Sequence, residues 1–307
     1  MTNGVTGRVA LVGSEQGLGI DPDLPLASAA LRGAGLAVDV VRWDDPAVDW
    51  AAFDLAVVRS CWDYAGRLEE FLGWAETVPR LANPVEVLRW NTDKVYLRDL
   101  ERAGLPVVPT VWDPSAADDL PDAPEWVVKP SVSAGSRDTA RWDTPPAVLA
   151  HVAELTGAGR TAMVQPYLTS VDDLGETAML FIGGGFSHAV RKGPLLAPGE
   201  GVRQDRNSRG DLRPVAPTPA QREVAQAVFD AVPGLVGVDG APLYARIDLV
   251  QDADGRPVVL ELELTEPSLF LPQAPAAAAT LARAVAALTR GSSPAAPPRS
   301  ARPSAMR

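Results

Sequence analysis

Cysteine, lysine and histidine are scarce in this chain of 307 residues, which contains one, three and two of them respectively. The single cysteine, Cys61, excludes an internal disulfide and a thiolate metal cluster. Long apolar runs are also missing. No stretch reaches the ~20 consecutive apolar residues that a helix needs to span a bilayer. The N-terminus lacks the pattern of a secretory signal. We therefore expect a cytoplasmic protein with no membrane partner.

Basic residues are fewer than acidic ones. The chain has 28 Lys and Arg residues and 39 Asp and Glu residues, which gives a net charge of -11. Without a basic block, this balance argues against nucleic acid and anionic membranes as partners. The remaining composition, 46% hydrophobic and 22% charged, is that of a globular protein. We expect one large domain or two to three small ones.

Strand and helix patterns alternate along the chain, which predicts the α/β class. Strands are expected at residues 8–13, 36–42, 55–58, 125–129, 161–165, 176–182 and 185–191, and a hairpin at 243–264. Helices are expected at 26–35, 67–80, 146–157, 219–231 and 275–289. A further helix is expected to begin at Asn91 or Thr92 and to end at Ala103. Residues 193–217 are expected to form a long loop and 291–307 a disordered tail.

The hairpin at 243–264 carries the densest charge. If Asp254-Gly255 is a two-residue turn, Arg246 lies opposite Glu263, and Asp248 lies opposite Glu261. The other face is then apolar, formed by Leu243, Ala245, Ile247, Leu249, Val258, Leu260, Leu262 and Leu264. Close carboxylates favour a shared proton or a cation, and oxygen ligands suit Mg²⁺. A solvated polar face and glycosidase-type acid–base work are the alternatives.

A second candidate site follows the strand that ends at Lys129. Residues 130–136 are mostly small, which lets backbone N–H groups approach an anion, and Lys129 would add a positive charge. The pattern is not that of the P-loop, so a plain surface turn is the alternative. Residues 13–19 also follow a strand, but their glycine spacing argues against a dinucleotide site.

A strand ending in lysine, a small-residue loop and a hairpin bearing Arg-x-Asp and Glu-x-Glu together resemble the ATP-grasp carboxylate–amine ligases. The resemblance implies an ATP-grasp fold, with α+β lobes behind an N-terminal α/β domain. It also implies Mg²⁺, with Mn²⁺ as a possible substitute, bound by Asp248, Glu261 and Glu263. Glu263 departs from the family, because Asn is usual at that position.

The resemblance assigns catalytic roles to Arg246 and Lys192, near the transferred phosphoryl group, and to Arg203, which with Gly210 would belong to a segment that covers the substrate. It assigns the nucleotide contacts to Lys94, Lys129, Ser131, Ser133, Gly135, Ser136, Gln165, Tyr167 and Leu168. Lys94 would lie on the helix after the N-terminal domain, and the Tyr167-Leu168 backbone would contact the adenine edge. Glu176 would bind the ribose, with Asp172 or Asp173 as competitors for that role.

A closer similarity covers residues 8 to 290. It is carried by Trp-Asp-Asp at 43–45, Arg-Ser-Cys-Trp-Asp-Tyr at 59–64, Trp-Asn-Thr-Asp-Lys at 90–94 and the stretches at 186–190 and 261–269. These motifs are similar to the ATP-grasp branch that contains the O-ureido-serine cyclo-ligase of cycloserine biosynthesis. The similarity implies an amino-acid substrate held by Arg59, Trp62, Asp63, Tyr64 and Glu266. We expect His151 at the surface and His188 in the core, with Cys61 in packing.

The resemblance divides the chain into a substrate-side domain at 1–90, a small ATP-grasp lobe at 91–167, a large lobe with the metal site at 168–290 and the tail. It implies that ATP activates an amino-acid carboxylate as an acyl phosphate. An amine of the same molecule, or of a second amino acid, then displaces phosphate. A homo-oligomer is an open possibility. A non-ligating nucleotide-binding module and a nicotinamide oxidoreductase are the remoter alternatives.

Overall fold

The computed structural model describes residues 7–203 and 211–291. A parallel sheet with the order β2-β1-β3-β4 comes first. Its strands are β1 Arg8–Gly13, β2 Ala37–Arg42, β3 Leu55–Ser60 and β4 Leu81–Ala82, and its helices are α1 Glu15–Ile20, α2 Leu24–Gly33 and α3 Leu68–Thr77. The apolar run at 9–12 is fully buried, as expected for a strand covered on both faces. The predicted disordered tail from 292 onward and the role given to Gly210 lie outside the described residues.

The single helix expected from Asn91 to Ala103 is wrong. Helix α4, Val85–Asn91, ends where that helix was expected to begin, and α5, Tyr96–Arg102, begins after a turn. The Asn91 side chain does not cap α5, because it accepts from Leu264 N (2.6 Å) and donates to Leu262 O (2.8 Å). Lys94 therefore lies in a turn rather than on a helix.

A second, antiparallel sheet has the order β5-β8-β6-β7. Its elements are β5 Val111–Trp112, β6 Trp126–Pro130, β7 Ala140–Trp142, α6 Pro145–Gly157 and β8 Ala162–Pro166. Helix α6 packs on this sheet through Val148, Val152 and Leu155. His151 shares their i, i+3, i+4 face, so it is buried, and its Nδ1 accepts a hydrogen bond from Trp142 Nε1 (3.1 Å). The expectation of a surface His151 was wrong, and burial lowers the pKa of its imidazole.

The third sheet is antiparallel and has the order β11-β10-β9-β12-β13. Its elements are α7 Ser170–Leu174, β9 Glu176–Ile182, β10 Gly185–Lys192, β11 Leu212–Pro214, α8 Pro219–Val236, β12 Tyr244–Gln251, β13 Pro257–Glu263 and α9 Ala276–Thr289. The stretch expected to be one long loop at 193–217 is partly regular, because β11 pairs with the end of β10 and Arg203 is buried. Across the described ranges, no helix has the length and apolar character needed to cross a bilayer.

The hairpin of β12 and β13 has the predicted pairing at its charged end. Arg246 lies opposite Glu263, and Asp248 lies opposite Glu261. The turn is different, because Asp252 N donates to Arg256 O (2.9 Å), which leaves a three-residue loop with Gly255 at φ 76°. A bulge between Asp248 and Leu249 then restores the register at the acids.

The bulge also corrects the predicted faces of β13. Val259 belongs to the same core as Leu262, whereas Val258 and Leu260 pack in a separate cluster on the other side. Leu260 and the adjacent Glu261 consequently both line one cavity, which strict alternation of side chains would forbid.

Two hydrophobic cores tie the sheets together. The first joins β1, α2, β9, β10 and α9, and the second joins α5, α8 and the opposite face of β9, β12 and β13. Asn83, which follows β4 at φ 57°, connects the first sheet to the third. Its amide donates to Tyr244 O (3.0 Å) and Leu264 O (2.7 Å) and accepts from Leu243 N (2.7 Å).

We expect Asn83→Ala to lower the free energy of unfolding by about 2 to 4 kcal/mol, because it leaves three buried backbone groups without partners. Gln226→Ala is the control, since it removes an exposed amide bonded to Asp230 and should cost less than about 0.5 kcal/mol. Urea unfolding followed by circular dichroism measures both. Equal midpoints for Asn83→Ala and the control would show that this junction contributes little stability.

Candidate active site

A cavity of about 340 Å³ lies between the second and third sheets and reaches the carboxyl end of the first. The predicted nucleotide-binding residues that line it are Lys94, Lys129, Ser133, Gly135, Ser136, Gln165, Tyr167, Leu168 and Glu176. Two predicted nucleotide contacts, Ser131 and Asp173, do not line the cavity. Ser131 is buried with its carbonyl bonded to Lys94 N (3.0 Å), and Asp173 is exposed on α7.

The loop after β6 forms one wall of the cavity. Gly135 and Ser136 follow each other at φ 66° and 59°, a conformation that glycine adopts freely and serine rarely does. Lys94 Nζ donates to Ser133 O (3.0 Å) and lies 3.2 Å from Glu261 Oε1. Lys129 faces the same space, and burial lowers the pKa of its ammonium. The wall thus offers two buried cations to an anionic ligand.

The segment after β8 forms the far end of the cavity. Tyr167 N donates to Glu125 O (2.8 Å), so this amide is not available to an adenine edge, and the predicted hinge contact is left to the Tyr167 carbonyl and the Leu168 backbone. Gln165 Nε2 donates to Thr110 Oγ1 (2.9 Å), while its buried Oε1 has no hydrogen-bond partner among the described residues. Apolar walls flank this end, formed by Val108, Leu168, Val171, Val250 and Leu260.

Asp172 and Glu176, the two other acids considered for the ribose, are already paired. Asp172 accepts from the Tyr167 hydroxyl (2.5 Å) and from Arg141 (3.3 Å), outside the cavity lining. Glu176 lines the cavity, and its carboxylate lies 2.5 Å from Lys192 Nζ. Its ribose contact stays a prediction.

Three carboxylates meet at the charged end of the hairpin. Asp248, Glu261 and Glu263 each place an oxygen within 4.8 Å of the other two. Asp248 is almost fully buried and accepts from both Lys192 Nζ (2.6 Å) and Arg246 Nε (3.0 Å). Arg246 also donates to Glu263. Lysine and arginine therefore hold the cluster together from one side.

The electrostatics divide these acids into two kinds. Asp248 is buried, but the charges of Arg246 and Lys192 outweigh the effect of burial and lower its pKa to about 2. The charge of Lys94 likewise outweighs burial at Glu261 and lowers the pKa of that carboxyl. Burial raises the pKa of Glu263 to about 7, although the Arg246 charge opposes it. Burial and the neighbouring Glu263 raise the pKa of Glu266 to about 8. Glu263 and Glu266 are thus short of compensating positive charge.

The carboxylate cluster fits a hard divalent cation. Oxygen donors suit Mg²⁺ and Mn²⁺, and Glu261 and Glu263 face the cavity while Asp248 lies beneath them. A cation between Glu261 and Glu263 would add to the positive charge that Arg246 already brings to Glu263. The residues present therefore match the predicted metal site.

The predicted catalytic residues Lys192, Arg203 and Arg246 all line the cavity. Arg203 Nη1 donates to Leu195 O, and its backbone pairs with Thr139 (3.0 Å), so the segment before residue 204 is joined to the loop after β6. Gly175 brings α7 close to Lys192. At φ 68°, a Cβ there would lie 2.2 Å from the Lys192 carbonyl.

Of the predicted substrate contacts, Trp62, Tyr64 and Glu266 line the cavity. Arg59 and Asp63 do not, which corrects both predictions. Arg59 turns into the interior, where it is 1% exposed, and Asp63 turns away to accept from Trp43 Nε1 (3.1 Å). His188 is half-buried beside the cavity, and its Nε2 lies 2.9 Å from Leu269 O.

Several lining residues escaped the sequence analysis. Among them are Ile20, Asn91, Leu195, Leu196, Leu212, Ser268 and Phe270. The apolar members have no chemical signature that separates them from core residues. Ser268 and Phe270 continue the spacing of two that begins at Glu266, and this was the one available signal.

The fold and site define an ATP-grasp protein. The structure of D-alanine–D-alanine ligase from Bacillus anthracis complexed with ATP has the same fold, with a TM-score of 0.64 at 13% identity, covering 92% of this chain and 96% of that one. The ATP-grasp fold predicted from sequence is confirmed.

More specific similarities identify the family. The crystal structure of D-cycloserine synthetase DcsG matches with a TM-score of 0.85 at 38% identity, covering 92% of this chain and all of that one. The cycloserine biosynthesis protein DcsG of Streptomyces lavendulae is 40% identical over 287 residues, 86% of this chain and 93% of that protein. The family described as D-cycloserine synthetase DcsG, N-terminal domain, matches residues 9–83. The chain belongs to the DcsG family, which confirms the carbon–nitrogen ligase class predicted from sequence and sets aside the oxidoreductase and non-ligating alternatives.

We expect Asp248→Asn to lower kcat for ATP-dependent amide formation by about 100-fold or more. The reason is that Lys192 and Arg246 lose the buried charge that orients them. Phosphate release and ATP affinity are measured separately, and the affinity should change little, because Lys94, Lys129 and the far end of the cavity are untouched. Asp230→Asn, at an exposed carboxylate, is the control. Wild-type turnover in Asp248→Asn would contradict the role given to this cluster.

Proposed function

We propose that the protein uses ATP and Mg²⁺ to activate the carboxylate of a small amino acid as an acyl phosphate, and that a side-chain N–H nitrogen of the same molecule then displaces phosphate, with loss of its proton, to close a ring. O-ureido-serine is the first substrate to test, because its nitrogen bonded to the side-chain oxygen would close a five-membered ring. The observation that carries the proposal is that one continuous cavity joins a cationic, small-residue wall to an acidic end. The relative named for cycloserine biosynthesis supports the choice of substrate.

The nucleotide would occupy the end formed by the loop after β6 and the segment after β8. Lys94 and Lys129 would pair with its phosphates, as lysines do at phosphate sites. The base would lie between Leu168 and Leu260, with the free Gln165 Oε1 as a hydrogen-bond acceptor. Of the two hinge amides, only that of Leu168 remains a candidate for the base edge.

Mg²⁺ would be held by Glu261 and Glu263, with Asp248 beneath them, and Mn²⁺ is the alternative ion. When bound, the ion neutralises phosphate charge that would otherwise repel the attacking carboxylate. The chain's own contribution is to hold the acids in register, since Arg246 and Lys192 restrain Asp248, and Lys94 restrains Glu261.

Three cations would act on the reacting atoms. Lys192, Arg246 and Arg203 line the cavity beyond the acids, so they can stabilise charge on the phosphoryl group and on the acyl oxygen. The substrate ammonium would be placed by Glu266, which the Tyr64 hydroxyl contacts.

Ring closure is preferred over joining two amino acids because the relative that is 40% identical is named for cycloserine biosynthesis, and the structure that is 38% identical is named D-cycloserine synthetase. An intermolecular ligase that makes a dipeptide or a γ-glutamyl amide is the second candidate.

The domain division at 90 and 167, and a homo-oligomeric state, stay predictions.

The test is phosphate release from Mg-ATP across a panel that contains O-ureido-serine and the common amino acids of both configurations, singly and in pairs. Mass spectrometry identifies each product. We expect release with one amino acid alone and a product built from the atoms of that one molecule. A strict requirement for two amino acids, with a product that joins them, would replace ring closure by intermolecular ligation. If no amino acid in the panel, alone or in a pair, causes phosphate release, the assignment of an amino-acid substrate is overturned.

A further inference from the structure

The segment after β13, residues 265–271, which we call the strap, carries one side of the cavity. Glu266, Ser268 and Phe270 line the cavity, whereas the alternating Thr265, Leu269 and Leu271 are turned inward and are almost fully buried. The strap therefore has a front that faces substrate and a back that faces the first sheet. What holds the back determines where the front lies.

Asp23, just before α2, holds the back of the strap by accepting hydrogen bonds from two of the strap's backbone amides. Its Oδ2 accepts from Leu269 N (2.6 Å) and its Oδ1 from Leu271 N (2.7 Å). Both amides belong to buried residues, so each needs a partner inside the protein. Both Asp23 carboxylate oxygens are thereby used to fix the strap at two points, one residue either side of Phe270.

Arg59, at the end of β3, holds the strap by a hydrogen bond to one of the strap's backbone carbonyl groups. Its Nη2 donates to Pro267 O (2.8 Å) and lies 3.7 Å from Asp23 Oδ2, and its guanidinium lies over the Tyr244 ring. The side chain is 1% exposed, and its Nε and Nη1 have no hydrogen-bond partner in the described part of the chain. A buried guanidinium with unsatisfied donors is costly for stability alone.

We propose that Asp23 and Arg59 are positioning residues for the amino-acid substrate, which act through the strap by fixing Glu266 and Ser268 relative to the acids of β13. Neither residue touches the cavity. The inference rests on the proposed function for the identity of the ligand, because Glu266 is the residue given to the substrate ammonium. It assigns a role to the Arg59 charge that packing alone does not require.

The two ends of the cavity should respond differently when this anchor is removed. The strap carries substrate contacts, whereas Lys129, Gln165 and Leu168 belong to other elements and have no bond to Asp23 or Arg59 among those described. Loss of the anchor should therefore weaken amino-acid binding and leave nucleotide binding intact. A merely structural role would weaken both in proportion to the fraction of unfolded protein.

The experiment compares Asp23→Asn, Glu266→Gln and the double variant in the full chain. We expect KM for the amino acid to rise about tenfold or more in each single variant, with KM for ATP changed by less than about twofold. The double variant should be little worse than either single one, because both changes remove the same contact. Full additivity of the two effects, or an equal rise of both KM values, would overturn the proposal.

Arg59→Met and Arg59→Lys extend the test if Asp23→Asn folds poorly. Lysine keeps the charge beside Asp23 but lacks the guanidinium fork, so it should restore the thermal midpoint more fully than KM for the amino acid. Arg80→Met is the matched control, since Arg80 also donates to a carbonyl 208 residues away, that of Leu288, and lies outside this cavity. Its KM values should equal those of the wild type.

Hydrogen exchange followed by mass spectrometry tests the strap without a substrate. Peptides that contain Leu269 and Leu271 should exchange faster in Asp23→Asn, while peptides of β6 and β8 keep wild-type protection. Unchanged exchange in the strap would overturn the anchor. If the wild-type protein turns over no amino acid, the proposed function fails, and this measurement still decides the anchor.

Discussion

The buried carboxylate of Asp248 is the constraint on which the site depends. An anion this deep in the protein needs compensating charge, and it receives hydrogen bonds from Lys192 on β10 and Arg246 on β12. Lys192 also reaches Glu176 on β9, and Arg246 reaches Glu263 on β13. One carboxylate thus fixes charged groups from four adjacent strands in one place.

This network explains why so many charges can share one cavity. Five cations and five carboxylates, counting Asp248, meet there: Lys94, Lys129, Lys192, Arg203, Arg246, Glu176, Asp248, Glu261, Glu263 and Glu266. When every group is ionised these charges balance, and a nucleotide polyanion is then accommodated best together with a cation. Glu263 and Glu266, whose pKa values are raised, are the acids best placed to receive positive charge from an ion and from a substrate ammonium.

The sequence predicted the chemistry of the site better than the path of the backbone. The hairpin acids were paired correctly, but a longer turn and a bulge cancelled each other, so the correct register at the acids rested on a wrong turn. Arg59 was expected in the pocket because it lies in the same motif as Trp62 and Tyr64. Its inward orientation follows from Asp23 and Pro267, whose proximity in space no local pattern reveals. The predicted helix start at Asn91 failed for a similar reason, because the Asn91 side chain bonds backbone groups of Leu262 and Leu264 at the end of β13 instead of capping a helix.

The central claim is that this site activates a carboxylate by phosphoryl transfer, and the most direct measurement follows the oxygen atoms. An amino-acid substrate labelled with ¹⁸O in its carboxylate is turned over with unlabelled ATP, and the released phosphate is analysed by mass spectrometry. Attack of the carboxylate on the γ-phosphate, followed by displacement of phosphate, transfers one ¹⁸O atom to each phosphate. Phosphate that carries no label, with product still formed, would contradict the account.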